Sequence, residues 1–215
     1  MALWRTLYEV GVVAAVIADG GEDLARRYVE HEVVESKLAM EEYARCHVAL
    51  GFKPVSNRER KRVERAFAAV VKKYGADFGK PYGWAADSLK RKKVTFRDLE
   101  DAAKRSAMRS YYKMASYNVH SDTAKSIFWR LGVIGDQSII VAGATDAGFA
   151  EPAQNAAITL VQITALLLSE RISSLDVMIQ LRALSMMRDE ILDAFMRAER
   201  ELKRDHRALT KYSSG

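Results

Sequence analysis

Apolar residues recur every three or four positions through most of this 215-residue chain, the spacing that puts them on one face of an α-helix. The first such run, from about Leu3 to Ala18, stops at Gly20-Gly21. A second, from about Glu22 to Leu50, ends at the breaker Gly51-Phe52-Lys53-Pro54. Ser56 stands where an N-cap opens a third helix reaching Tyr74, just ahead of Gly75. Residues 75–88, with three glycines, one proline and Trp84, read as a loop. Thr95 with Asp98 three positions on has the form of a capping box and predicts a helix to about Val119. Ser121 or Asp122 then caps a short helix through Arg130.

The helical period breaks between 131 and 148. Gly132–Gly135 and Ser138–Ala142 flank Asp136-Gln137 in the manner of a small β-hairpin. The four glycines of this region also bring a phosphate-cradling loop to mind, but neither the dinucleotide-binding glycine pattern nor a P-loop is present. A hairpin or ordered loop is therefore expected. Helices of about Pro152 to Ile172 and Leu175 to Leu209 complete the chain as a C-terminal pair over 152–209. The expected architecture is an all-α bundle of six or seven helices with one small insertion, folded as a single helical domain over 1–215.

Composition narrows the class. With 49% hydrophobic and 29% charged residues, the chain has the apolar content a packed core needs, which excludes a disordered polymer. The single cysteine, Cys46, excludes an intramolecular disulfide framework and a multi-cysteine zinc site. It fits a reducing compartment, so a cytoplasmic location is expected. The most apolar run, Ala156 to Leu168, is 13 residues long and contains Gln162, short of the ~20 residues a membrane span requires. No membrane partner, metal or cofactor is expected.

One stretch concentrates protonatable groups. Tyr112, Ser116 and His120 follow each other at four-residue spacing, with Arg109 a turn earlier, and that spacing aligns them on one helical stripe. Such a stripe is either a buried structural network or a reactive site. Arg5 and Glu9 are four apart on the first helix and suit a local ion pair. If that face is buried, Glu9 becomes a partner for the stripe. A carboxylate beside His120 would fix its tautomer and raise its basicity, as general acid–base chemistry requires. Glu9, Arg109, Tyr112, Ser116 and His120 are the candidate catalytic set, and a core histidine tying two helices together is the alternative.

These residues also carry a resemblance. Arg5-x-x-x-Glu9, Trp84 in a loop, and Tyr112-x-x-x-Ser116-x-x-x-His120-Ser121 together resemble the bacterial family of domain of unknown function 5677. The resemblance covers about residues 3–130 and implies a helical fold. It implies more chain ahead of the Arg-x-x-x-Glu helix in related proteins, and no particular activity. The all-helical content with Arg and His also resembles the HEPN class of RNA-cutting toxins, whose signature is Arg, four to six residues, then His. Arg26–His31 and Arg200–His206 fit that spacing, against about one match expected by chance. Metal-free RNA cleavage needs an Arg to hold phosphate and a His to move a proton. In a helix, Arg109 and His120 would lie about 16 Å apart along the axis, so a partner chain would be needed to bring such groups together.

Charge is uneven. Residues 51–110 hold 17 Lys and Arg against 7 Asp and Glu, a net of +10 in a chain whose total is +6. Arg58-Glu59-Arg60-Lys61-Arg62 and Lys90-Arg91-Lys92-Lys93 supply the clusters. Arg60, Arg62, Lys90, Arg91, Lys92 and Lys93 are the candidate nucleic-acid contacts, since such an excess tracks a phosphate backbone. Phe78, Tyr82 and Trp84 are candidates to stack bases. A solubilising helix face is the plainer reading. Met178, Met186, Met187 and Met196 on the last helix read as core packing, and its apolar surface also suits a homodimer. Two functions therefore stand side by side. One is a regulatory or interaction domain of a defence or stress module; the other is a metal-independent ribonuclease using Arg and His, with RNA as partner.

Overall fold

The computed structural model describes residues 1–117, 119, 131–134, 137–140, 149–168 and 174–212. Its helices are α1 (Ala2–Glu30), α2 (Glu32–Cys46), α3 (Asn57–Tyr74), α4 (Phe96–Ala102), α5 (Arg109–Tyr117), α6 (Ala150–Leu167) and α7 (Leu175–Tyr212). The fold is all-α. Strands β1 (Leu131–Ile134) and β2 (Gln137–Ile140) pair antiparallel, Leu131 opposite Ile140 and Ile134 opposite Gln137. The chain divides into two compact units, one of residues 1–14 with 107–215 and one of residues 15–106. Among the described residues, no helix is long and apolar enough to cross a membrane.

Local signals set several helix ends. The Ser56 side chain accepts from the Glu59 amide at 3.2 Å and opens α3, which closes at Gly75. At the predicted stop Gly20-Gly21 the helix does break: Gly21 adopts φ 68° and ψ −162°, so α1 is two helical segments meeting at a kink, the second running to Glu30. Only glycine enters that conformation cheaply. A further boundary, inside the helix predicted from Glu22 to Leu50, falls at His31, which starts α2 without a side-chain cap. The helix predicted from Thr95 to Val119 is two helices. Lys104 takes φ 56° after α4, and a short 3₁₀ turn at Ser106–Met108 precedes α5. The periodicity continued through this break because apolar spacing does not register one left-handed residue.

The Thr95 capping box is complete. Asp98 accepts from the Thr95 amide and from its hydroxyl, both at 2.8 Å, with Arg91 3.4 Å away. Hydrogen bonding from the Thr95 side chain and then its backbone holds the Asp98 carboxyl below the usual aspartate range. A depressed pKa contributes stability that is complete above the ordinary value of about 3.9 and is lost as pH falls through the lower folded value. Asp98→Ala is expected to cost about 1 kcal/mol at neutral pH and to flatten the acid limb of the stability curve. Urea melts of both chains from neutral to acid pH check this; parallel acid limbs would refute it.

In the 15–106 unit, α2 packs on α3, and α3 packs on a 3₁₀ turn at Ala76–Gly79. A second 3₁₀ turn at Gly83–Ala85 lies against the first. A side chain at Gly83 would collide with the carbonyl oxygens of Asp77 and Phe78. That close approach requires glycine and buries Phe78 and residues 83–86 within the predicted 75–88 loop. In the other unit, α6 packs along α7, and Phe149 at the start of α6 meets Phe195 well into α7 at 5.5 Å between ring centres. The two helices run antiparallel. Met178, Met186, Met187 and Met196 are about half exposed on α7. The core-packing expectation for them is overturned: among the described residues α6 packs along one side of α7, and these methionines lie away from that contact, about half in solvent.

Candidate functional site

In the first unit, a four-residue repeat on α1 buries Trp4, Tyr8 and Val12 and leaves Arg5 and Glu9 flanking them. The Trp4 indole donates to the Thr159 hydroxyl at 3.1 Å, which donates to the Asn155 carbonyl at 2.7 Å. The Tyr8 ring packs in a tilted arrangement between Trp4 at 5.3 Å and Tyr112 at 5.8 Å. Tyr112 is thereby brought from α5 onto the Arg5–Glu9 pair. Its phenol donates to Glu9 Oε1 at 2.8 Å and accepts from Arg5 Nη2 at 3.1 Å, while Arg5 Nε lies 3.2 Å from the same carboxylate. The Arg109 guanidinium sits over the Tyr112 ring at 5.5 Å.

The electrostatics follow from this triangle. Burial disfavours the Arg5 cation, but the Tyr112 hydrogen bond and the Glu9 charge outweigh it, so the Arg5 pKa moves up. Burial, reinforced by the Glu9 carboxylate and opposed by Arg5, pushes the Tyr112 phenol up. Tyr112 is thus a proton donor held neutral at physiological pH, not an anionic nucleophile. Ser116 donates to the Tyr112 main-chain carbonyl at 2.9 Å, a bond that ties the hydroxyl to its own helix.

Four of the five predicted catalytic residues, Glu9, Arg109, Tyr112 and Ser116, come together in this way. His120 lies outside the described residues, as do Ser121 and Asp122. α5 ends at Tyr117. Trp4, Tyr8 and Thr159 were missed by sequence reasoning. The four-residue aromatic repeat beside Arg5 and Glu9 was the signal for the first two, and nothing local marks Thr159.

The model of the family of unknown function DUF5677 matches residues 1–131. The chain belongs to the DUF5677 family. Every residue of the Arg5–Glu9–Tyr112 triangle falls within the DUF5677 match, whereas α6 and α7 lie beyond it. No curated protein and no solved structure matches the chain.

The second unit of this DUF5677 member holds a cleft of about 350 Å³ lined by Arg27, Tyr74, Phe78, Lys90, Arg91 and Lys92, among others. Arg27 is its fixed element. The guanidinium stacks over Tyr74 at 4.8 Å, donates through Nε to the Trp84 carbonyl at 3.1 Å, and meets Asp87 at 3.4 Å. Lys90, on the rim, is held at φ 52°, a left-handed conformation that costs a non-glycine residue roughly 1–2 kcal/mol. Lys90, Lys92 and Lys93 are exposed, and no ion pair engages them among the described residues. Arg60 and Arg62 are exposed on α3, Arg62 lying 3.7 Å from Glu59, and Arg91 lies 3.4 Å from Asp98.

Two sequence expectations fail in this unit. Phe78 and Trp84 are 1% and 3% exposed, so neither can stack a base; packing on Tyr74 and Tyr28 consumes their faces and edges. Of the three aromatics, only Tyr82 is partly exposed. In the Arg26–His31 pair, Arg26 is engaged with Glu22 and Asp23, while His31 is buried. His31 Nε2 lies 3.0 Å from the Lys80 carbonyl, which only accepts, so this nitrogen carries the proton. The Phe78 ring closes over it edge-on. His31 cannot reach a phosphate. The His206 side chain of the other pair lies outside the described residues.

Proposed function

We propose that this DUF5677 member is an interaction domain that binds the phosphate backbone of nucleic acid through the basic residues of its 15–106 unit. The observation that carries the reading is where its cations stand. The first turns of α3 hold Arg58, Arg60, Lys61 and Arg62 against Glu59, at the helix end whose dipole favours acids. In the first turn, where Arg58 and Arg60 stand, a misplaced cation costs about 0.3–1 kcal/mol. Lys90 adds a strained backbone to an exposed charge. The left-handed turn at Lys90 is closed by its own main-chain bonds, but the excess of exposed cations on α3 and at 90–93 gains little locally, and an external anion accounts for it.

A regulatory role in a defence or stress module is compatible with such binding. The half-exposed Met178, Met186 and Met187 of α7 support association of two copies, which light scattering tests. Catalysis is not needed for this reading, since Tyr112 and Ser116 are occupied with partners of their own chain.

Anisotropy of a labelled single-stranded RNA, titrated with the protein across a salt series, tests the proposal. Affinity is expected to fall steeply with salt, and Arg60→Gln with Lys93→Gln to weaken binding and reduce the salt slope by about one per lost contact. The RNA should be recovered intact. Absence of binding at low salt would sink the proposal, and cut RNA would replace it with the ribonuclease reading.

A further inference from the structure

We infer that the Arg27–Lys90–Lys92 cleft is a seat for a phosphate monoester, carried by a free nucleotide or by the 5′ end of a nucleic acid. This rests on, and sharpens, the reading of the 15–106 unit as a phosphate-binding surface. The cleft's charged lining is Arg27, Lys90, Arg91 and Lys92 against Asp77 and Asp87, a formal +2. Asp77 is engaged with Lys80 at 2.6 Å and Asp87 with Arg27. A phosphodiester offers one negative charge and a monoester up to two, so the monoester is the better complement.

The volume of about 350 Å³ falls at the lower end of small-ligand sites and suits a group entering end-on. The aromatic walls are already engaged: Tyr74 carries Arg27 and Lys73 at 4.8 and 4.6 Å from its ring centre, and Phe78 stacks on Tyr74. No free ring face remains there for a base, so recognition falls on the phosphate. Arg27 is also preorganised, with its Nε and Nη1 committed to Trp84 and Asp87. A guanidinium locked in this way loses little entropy on binding.

Two RNAs of one sequence, labelled at the 3′ end and differing only in a 5′-phosphate or 5′-hydroxyl, test the assignment by anisotropy. Adenosine monophosphate is titrated separately by calorimetry. The 5′-phosphate is expected to tighten binding about tenfold, as charge-assisted hydrogen bonds do. Lys90→Asn with Lys92→Gln should abolish that preference at unchanged melting temperature, since asparagine accepts the left-handed backbone. Arg60→Gln with Arg62→Gln, outside the cleft, should retain it. Preference without nucleotide binding assigns the 5′ end of a nucleic acid; nucleotide binding that the Lys90/Lys92 variant abolishes assigns the free nucleotide. Equal binding of both RNAs with no nucleotide binding would overturn the cleft assignment and leave the basic-surface reading standing. Nucleotide binding without RNA binding would do the reverse, and silence from all three ligands would overturn both.

Discussion

Trp84→Ala is expected to destabilise the 15–106 unit by about 3–5 kcal/mol, the usual range for removing a buried tryptophan. The indole is 3% exposed and meets Tyr28 edge-on at 5.2 Å. The main chain at the same residue anchors Arg27, so a cavity here also loosens the cleft. Urea unfolding, followed by far-ultraviolet circular dichroism, measures the loss. A tryptophan that stacks bases would give the opposite pattern: weakened RNA binding at an unchanged unfolding midpoint. The two outcomes separate a packing role from a contact role without knowledge of the ligand.

Glu9→Ala has the second large effect. It removes the acceptor of the Tyr112 phenol and the counter-charge of Arg5 in one step. Hydrogen bonds to charged groups contribute about 1.5–3 kcal/mol. The lower half of that range is expected, because Glu9 is 38% exposed and water screens the pair. Tyr112→Phe alone should cost about 1 kcal/mol. Within one network the costs are coupled, so the double variant should lose less than the sum of the two. Additive losses would show that Glu9 and Tyr112 act independently and would remove the triangle as a unit.

Sensitivity of Arg5, Glu9 and Tyr112 to substitution is therefore expected from stability alone. Their presence within the DUF5677 match fits a structural clamp that joins the start of α1 to α5. The exposed cations of residues 58–62 and 90–93 are a different case. Arg62 and Arg91 make exposed ion pairs with Glu59 and Asp98, while Lys90, Lys92 and Lys93 make none among the described residues, so substitutions at those three lysines should be nearly silent in unfolding while altering ligand binding.

The all-α class was legible in the spacing of apolar residues, as were the helix ends governed by one or two neighbouring residues. Ser56, Gly75 and the Thr95–Asp98 box act over a single turn, so their chemistry is complete in the local string. The Arg5–Glu9 spacing and the Lys90–Lys93 cluster were legible for the same reason. Burial was decided by the tertiary structure, because it depends on surfaces far away in the chain. Tyr112 meets Glu9 across 103 positions, Trp4 meets Thr159 across 155, and Arg27 meets Trp84 across 57. Contacts of the same kind, Tyr28 against Trp84 and Phe78 and the Lys80 carbonyl against His31, turned these two from candidate ligand-binding groups into core. The methionines of α7 went the other way, since an apolar stripe states only that a surface can be covered and the partner helix decides how much of it is.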